Sequence, residues 1–379
     1  MTRPSVLTTS RPAEWAIDDE VIRLREWATD TVHPLAGDAR ASLTLGSADA
    51  SSIRVRDRAR RVAREHARLE RSRGRWTIVD AGSDHGLLID GTRCDRAELR
   101  PGLEISLGGA VTLIAESPRL IALREALQRL LGYRPARRAT VDEALRQIRD
   151  HDLHRTPLVL CGGPTEHDLI PIAEELHRLT LTEQQPFVVY NPSRTAARSE
   201  GAARTFADLA TALHEAGDGT MCMEHGTLSR REVIRIYAAV LPQQCRTHLV
   251  HCGSAPDDPE LPTPRIDIPP LDTRKTELDR LISEYVREAA GRLYATRHVR
   301  LSPADREWLR TSACASLPEL RTATLRLVAV REAGNVNAAS ALLGISHVAL
   351  AKWLNSRGFS KLGAAGSRKA KPSRHHGAT

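Results

Sequence analysis

The chain has 379 residues, 41% of them apolar but only 3% aromatic, and a net charge of +8. That length excludes a single core and leads us to expect two or three compact units, packed by Leu, Val, Ile and Ala rather than by rings. Six cysteines (Cys94, Cys161, Cys222, Cys245, Cys252 and Cys314) without a C-x-x-C pair exclude a disulfide framework and a zinc ribbon, and with neither a long apolar run nor a secretory leader a soluble cytoplasmic protein with no membrane association is expected.

From about Glu20 to Glu116 the sequence runs through short alternating segments divided by turn residues: VIRLREWA, SLTLGS, SIRVRD, HARLERS, RWTIVD, GLLIDG, LEISLG and AVTLIAE. Period-two alternation at this spacing predicts an all-β sandwich over residues 20–118. The order LTLGS, VAREHARL, WTIVDAGSDHGLLIDG and LRPGLEISLG resembles a forkhead-associated (FHA) domain. That family holds phosphothreonine through an Arg after the first Gly, a Ser in S-x-x-H and an Asn in S-x-N-G. Here Ser47, Ala63 and His85 stand at those positions, while the scaffold residues Gly46, His66, Trp76, Asp80, Ser83, Gly86 and Gly91 remain. Each charge-assisted bond lost is worth about 1.5–3 kcal/mol. The resemblance therefore implies an interaction or dimerisation module in which only Arg64, Arg60 or His85 can replace the missing phosphate ligands.

Between residues 119 and 270, helix-like stretches (LIALREALQRLL, VDEALRQI, LIPIAEELHRL, TFADLATALHEA, REVIRIYAAVL) alternate with strand-like runs (PLVLCGG, PFVVYN, TMCMEH, RTHLVHCG). Alternation of this kind predicts a parallel α/β sheet. After the proline-rich ELPTPRIDIPPL the chain reads as all-helical, first as a lid over 271–316 and then as a DNA-binding unit over 317–360, with a basic disordered tail at 361–379.

The stretch NVNAASALLGISHVALAKWLNSRGF carries the strongest functional signal. Ala338 and Ala339 are small enough for a close helix crossing, Gly344 suits a left-handed turn, Ile345 plugs the core and Ser346 caps the next helix. From Gly344 to Thr379 there are seven Lys or Arg residues and no acid, as suits a polyanion. The run Gly334, Asn335, Ala338, Ala339, Leu343, Gly344, Ile345 resembles the Fis-type helix-turn-helix of bacterial enhancer-binding activators. By that resemblance Asn337 touches a phosphate, and Ser346, His347, Ala349, Lys352, Trp353 and Arg357 belong to the DNA-binding surface. A homodimer or higher homo-oligomer on double-stranded DNA is the expected assembly.

Given that resemblance, the middle block resembles the AAA+ module of sigma-54-dependent activators in its order of landmarks. Its catalytic letters are replaced. A phosphate loop needs G-x-x-x-x-G-K-[ST], whereas Gly163 and Thr165 lead to Leu169 or its neighbour Asp168 where the Lys belongs, and the second motif ends in Glu224 and His225. No loop of the G-A-F-T-G-A kind is present. The expectation is a regulator that is not an enzyme and holds no cofactor, since the charge stabilisation behind phosphoryl transfer is gone; an ATP-driven activator and an FHA-based scaffold are the alternatives. Cys161, Glu224 or His225, and His251 or Cys252 fall at the carboxyl edge of the predicted sheet, but buried strand residues rather than metal or redox groups are expected there.

Overall fold

A computed structural model describes residues 15–35, 41–162, 169–182, 184–193, 204–224, 228–240, 246–253, 264–293, 301–357 and 359. They form two compact units, one ending at Ile268 and one beginning at Pro269.

The first unit opens with strands β1 (Arg23–Glu26), β2 (Val32–Pro34), β3 (Ser42–Gly46), β4 (Ile53–Arg54), β5 (Ala67–Ser72), β6 (Arg75–Asp80), β7 (Leu87–Ile89), β8 (Thr92–Arg93), β9 (Arg96–Glu98), β10 (Glu104–Leu107) and β11 (Val111–Glu116). They build two sheets, ordered β2-β1-β11-β10-β7-β8 and β4-β3-β5-β6-β9. Side-chain alternation decides what each face does: on β5, Ala67 and Leu69 are buried while Arg68 and Glu70 point to solvent. The inward faces meet in a core of Leu45, Leu69, Trp76, Ile78, Ile105 and Leu113, among others.

The same unit continues through α1 (Pro118–Leu131), α2 (Arg138–His154), β12 (Leu158–Gly162), α3 (Ile170–Thr180), β13 (Phe187–Tyr190), β14 (Arg204–Phe206), α4 (Leu209–Ala216), β15 (Thr220–Glu224), α5 (Arg230–Val240), β16 (His248–Cys252) and β17 (Arg265–Ile268). These strands form one parallel sheet, ordered β14-β13-β15-β16-β12-β17. Its inner strands β12 and β16 are buried almost throughout because both faces are covered. One expectation needs correcting: TFADLATALHEA is not helical from its start. Thr205 and Phe206 pair with Val189 and Tyr190 as an edge strand, and the helix begins only after Asp208, whose carboxylate accepts the Thr211 N–H at 2.8 Å.

Sandwich and α/β layer are joined by polar clasps on α2. Arg25, fully buried on β1, bonds Glu116 at 2.6 Å and makes a two-pronged pair with Asp142 at 2.6 and 2.9 Å. Arg146 does the same with Glu104 (2.7 and 2.9 Å), and Arg149 with Asp90 (2.7 and 3.0 Å).

In the second unit a short 3₁₀ segment leads into α6 (Leu278–Leu293), α7 (Pro303–Ser312), α8 (Leu317–Ala333), α9 (Val336–Leu343) and α10 (His347–Ser356). Ser302, Ser316, Asn335 and Ser346 each cap a helix through a side-chain oxygen, the last as expected from the sequence. Gly334 and Gly344 supply the left-handed ends, with φ of 69° and 66°. Arg331 on α8 clamps Asp305 of α7, which is itself buried. Among the described residues no helix is long and apolar enough to cross a membrane.

Candidate functional site

At one end of the sandwich the loops after β4, β6 and β10 converge. Gly108 lies where an added Cβ would meet the Arg61 carbonyl oxygen at 2.7 Å and the His85 Cβ at 3.1 Å, so only a residue without a side chain lets these loops close together. Beneath them His66, fully buried, accepts the Ala63 N–H on Nδ1 (3.1 Å), while Nε2 faces the Gly86 carbonyl (3.0 Å) and the Ser83 hydroxyl (3.1 Å). Ser83 also donates to Asp80 at 2.9 Å. Of the scaffold residues of the sequence reading, His66, Asp80, Ser83 and Gly86 thus form one hydrogen-bonded base, while Trp76 belongs to the apolar core; of the four positions expected to face a ligand, Ser47, Ala63, Arg64 and His85, Ala63 reaches that base through its backbone N–H. Ser47 is committed elsewhere: its hydroxyl donates to the Val62 and Ala63 carbonyls at 3.0 and 3.1 Å. Arg64 and His85 are exposed.

In the second unit Ala329, Val330, Ala339, Leu350 and Leu354 form a small core against which Ile345 packs, as expected for that residue. Ala339 is buried in the crossing, whereas Ala338 is exposed and takes no part in it. With Leu350 and Leu354 turned inward, the opposite face of α10 carries Val348, Ala349, Lys352, Asn355 and Ser356, all exposed. Ser346 and His347 are exposed at its start, and Asn337 is exposed on α9. Two expected members of this surface, both half-exposed, also make contacts inside the unit. Trp353 packs edge-on against Trp308, with ring centroids 5.9 Å apart, because it lies one step from the buried Leu354. Arg357 stacks on that same ring at 5.0 Å and reaches Glu319 at 3.4 Å, so it braces the helix end. Sequence reasoning missed Val348, which is 60% exposed.

Of the nucleotide positions, Gly163, Thr165 and His225 lie outside the described residues, as does the tail at 361–379. Glu224 closes β15. Leu169 is buried at the start of α3, where an apolar side chain has no charge to offer a phosphate. The cysteines and histidines of the carboxyl edge are taken up by packing: Cys161 donates to the Gly253 carbonyl (2.9 Å), the Cys222 and Cys252 sulfurs lie 3.4 Å apart, and the Tyr237 hydroxyl meets His251 Nδ1 at 3.0 Å.

A polar cluster that no sequence pattern announced lies at the opposite, amino edge. His151, Asp152 and His248 are buried and bring one ligand-type atom each within 4.8 Å of the others. Asp152 accepts the Trp15 indole N–H at 2.6 Å and lies 3.1 Å from His248 Nδ1. The Arg155 guanidinium stands 3.2 Å from the same nitrogen and donates to the Asp152 carbonyl. A divalent cation would meet that guanidinium at close range, so the set fits a closed polar clasp better than a metal centre. Burial pushes the His151 imidazole down to about 4, against the pull of Asp152. Its folded value lies below that of the unfolded chain, near 6.5. Stability is therefore full above about pH 6.5 and falls as pH drops toward 4, by roughly 3 kcal/mol from this group. Urea titrations at pH 7 and pH 4.5 should show that loss, and His151→Gln should flatten it.

The two-sheet sandwich with its His66–Ser83–Asp80 base defines the class of the first domain: residues 43–108, which the FHA domain pattern matches, are an FHA domain. Among solved structures it is similar to one from a study of phosphothreonine-dependent FHA interactions (19% identity over 25% of this chain and 94% of that one, TM-score 0.23). It is also similar to the FHA domain of the CT664 protein of Chlamydia trachomatis (21% identity, 25% of this chain and 96% of that one, TM-score 0.22). A third is EmbR of Mycobacterium tuberculosis in complex with a low-affinity phosphopeptide (20% identity, 25% and 24%, TM-score 0.22). No curated protein sequence matches the chain.

Proposed function

We propose that the chain is a double-stranded-DNA-binding regulator that reads its site with α10, acts as a homodimer, hydrolyses no nucleotide, and uses its FHA domain to engage a protein partner. The observation that carries this reading is the free outer face of α10, where Val348, Ala349, Lys352 and Asn355 stand exposed on a helix held by Leu350 and Leu354. A helix so mounted fits the major groove. Val348 suits a thymine methyl, Asn355 an adenine edge and Lys352 a guanine or a phosphate. The acid-free charge from Gly344 onward supports the same partner. A reader this small buries little surface alone, and two copies on a two-fold site supply the rest. Against nucleotide chemistry stands the buried Leu169 at the place of the phosphate-loop Lys.

Selection from a random duplex library by the full chain tests the proposal. Enrichment of a two-fold motif with half-sites about one helical turn apart is expected; a pool no different from the input would overturn it.

A further inference from the structure

The loop from β4 to β5 carries Arg56, Arg58, Arg60, Arg61 and Arg64, all exposed. None of them forms an ion pair among the described residues. The acid inside this run, Asp57, turns its carboxylate to the backbone N–H groups of Ala59 (2.7 Å), Arg61 and Val62 (2.9 Å), and of the five guanidinium groups it feels mainly that of Arg61. Asp57 therefore shapes the loop more than it neutralises it.

The loop is also held in place. Its Arg61 carbonyl packs on Gly108, its Val62 and Ala63 carbonyls accept from Ser47, its Arg64 carbonyl accepts from the Ala48 N–H and the Ser51 hydroxyl at 3.1 Å, and its Ala63 N–H donates to His66. The guanidinium groups thus project from a backbone that needs no further ordering to bind.

We propose that this arginine loop is a clamp for the sugar-phosphate backbone of duplex DNA, binding it without regard to sequence and independently of α10. Three observations choose this ligand. A single phosphate needs one compact pocket, yet Ser47 has spent its hydroxyl on the loop itself and Ala63 has none. Five exposed cations along one loop match a polymer carrying many phosphates, each of which releases condensed counterions when neutralised. The loops at this end present no Phe, Tyr or Trp and none of the exposed large apolar side chains, which are Ile22, Val32, Leu342 and Val348 among the described residues. Unpaired bases would find nothing to stack on, and a peptide side chain no pocket.

The test measures the affinity of the full chain for a short duplex of arbitrary sequence as a function of salt. Replacing Arg58, Arg60 and Arg64 together by Gln is expected to weaken binding about tenfold or more at low salt and to flatten the log–log salt slope by about two to three. The control Arg75→Gln, whose arginine is already paired with Asp18 and Glu98, should leave the slope unchanged. In a chain carrying Val348→Asp, which removes groove reading, the arginine-dependent slope should persist. An unaltered slope in the triple variant overturns the proposal. So does loss of all duplex binding in Val348→Asp, which would assign the DNA to α10 alone. If the triple variant loses a phosphothreonine peptide but keeps its duplex slope, the loop reads peptides and the proposal is wrong.

Discussion

Replacing Arg25 by Ala is expected to lower the stability of the first unit by about 3–5 kcal/mol, the largest loss we anticipate from one side chain. Arg25, Glu116 and Asp142 are all fully buried, and the arginine bonds both acids as well as the Glu26 and Thr29 carbonyls. Deleting it leaves two fully buried carboxylates short of a donor in a place water does not reach, while the half-exposed Glu26 and Thr29 carbonyls keep other donors. Arg23, at 2.7 Å from Glu116, and Arg124, at 3.5 Å from Asp142, relieve only part of that cost. Arg25→Lys, with a point charge instead of a planar fork, should fall between the two. Urea unfolding gives the free energy, and amide exchange on β11 and α2 locates it. A change under about 1 kcal/mol, or one that spares those two elements, would mean that the pair is not the joint we describe.

Val348→Asp is expected to reduce sequence-specific DNA affinity by about 100-fold, or roughly 2.7 kcal/mol, with no loss of fold. The position is 60% exposed, so little apolar contact is given up. It is also the second residue of α10 after the Ser346 cap, where a negative charge favours the helix. Facing a phosphate-walled groove, that same charge repels. Stability held or slightly raised, with binding lost, separates an interface effect from unfolding. Lys352→Ala should cost less and should lower the salt dependence by about one. Equal binding by the wild type and Val348→Asp would refute groove reading by α10.

The sandwich was legible because period-two alternation and turn residues were both present, and Gly46, His66, Ser83 and Gly86 marked its base. The start of α10 was legible through Ser346, whose capping acts locally. Failures arose where the answer depended on distant packing. Trp353 looked available until Trp308 covered one edge of its ring. Val348 was left out of the expected surface, although its position opposite Leu350 and Leu354 on the helix wheel already turned it outward. The His151, Asp152 and His248 cluster gave no local sign, since its third member arrives from β16, nearly a hundred residues on. The strand at Arg204–Phe206 was too short to display an alternation of its own.

The indole of Trp15 lies upstream of the first β-strand yet donates to Asp152 on α2. A protein engineer trimming the FHA sandwich at residue 20 would therefore discard a tether belonging to its neighbour and leave one oxygen of a buried acid without its donor. The sandwich is mortised rather than hinged, and a partner gripping it takes hold of the α/β sheet as well.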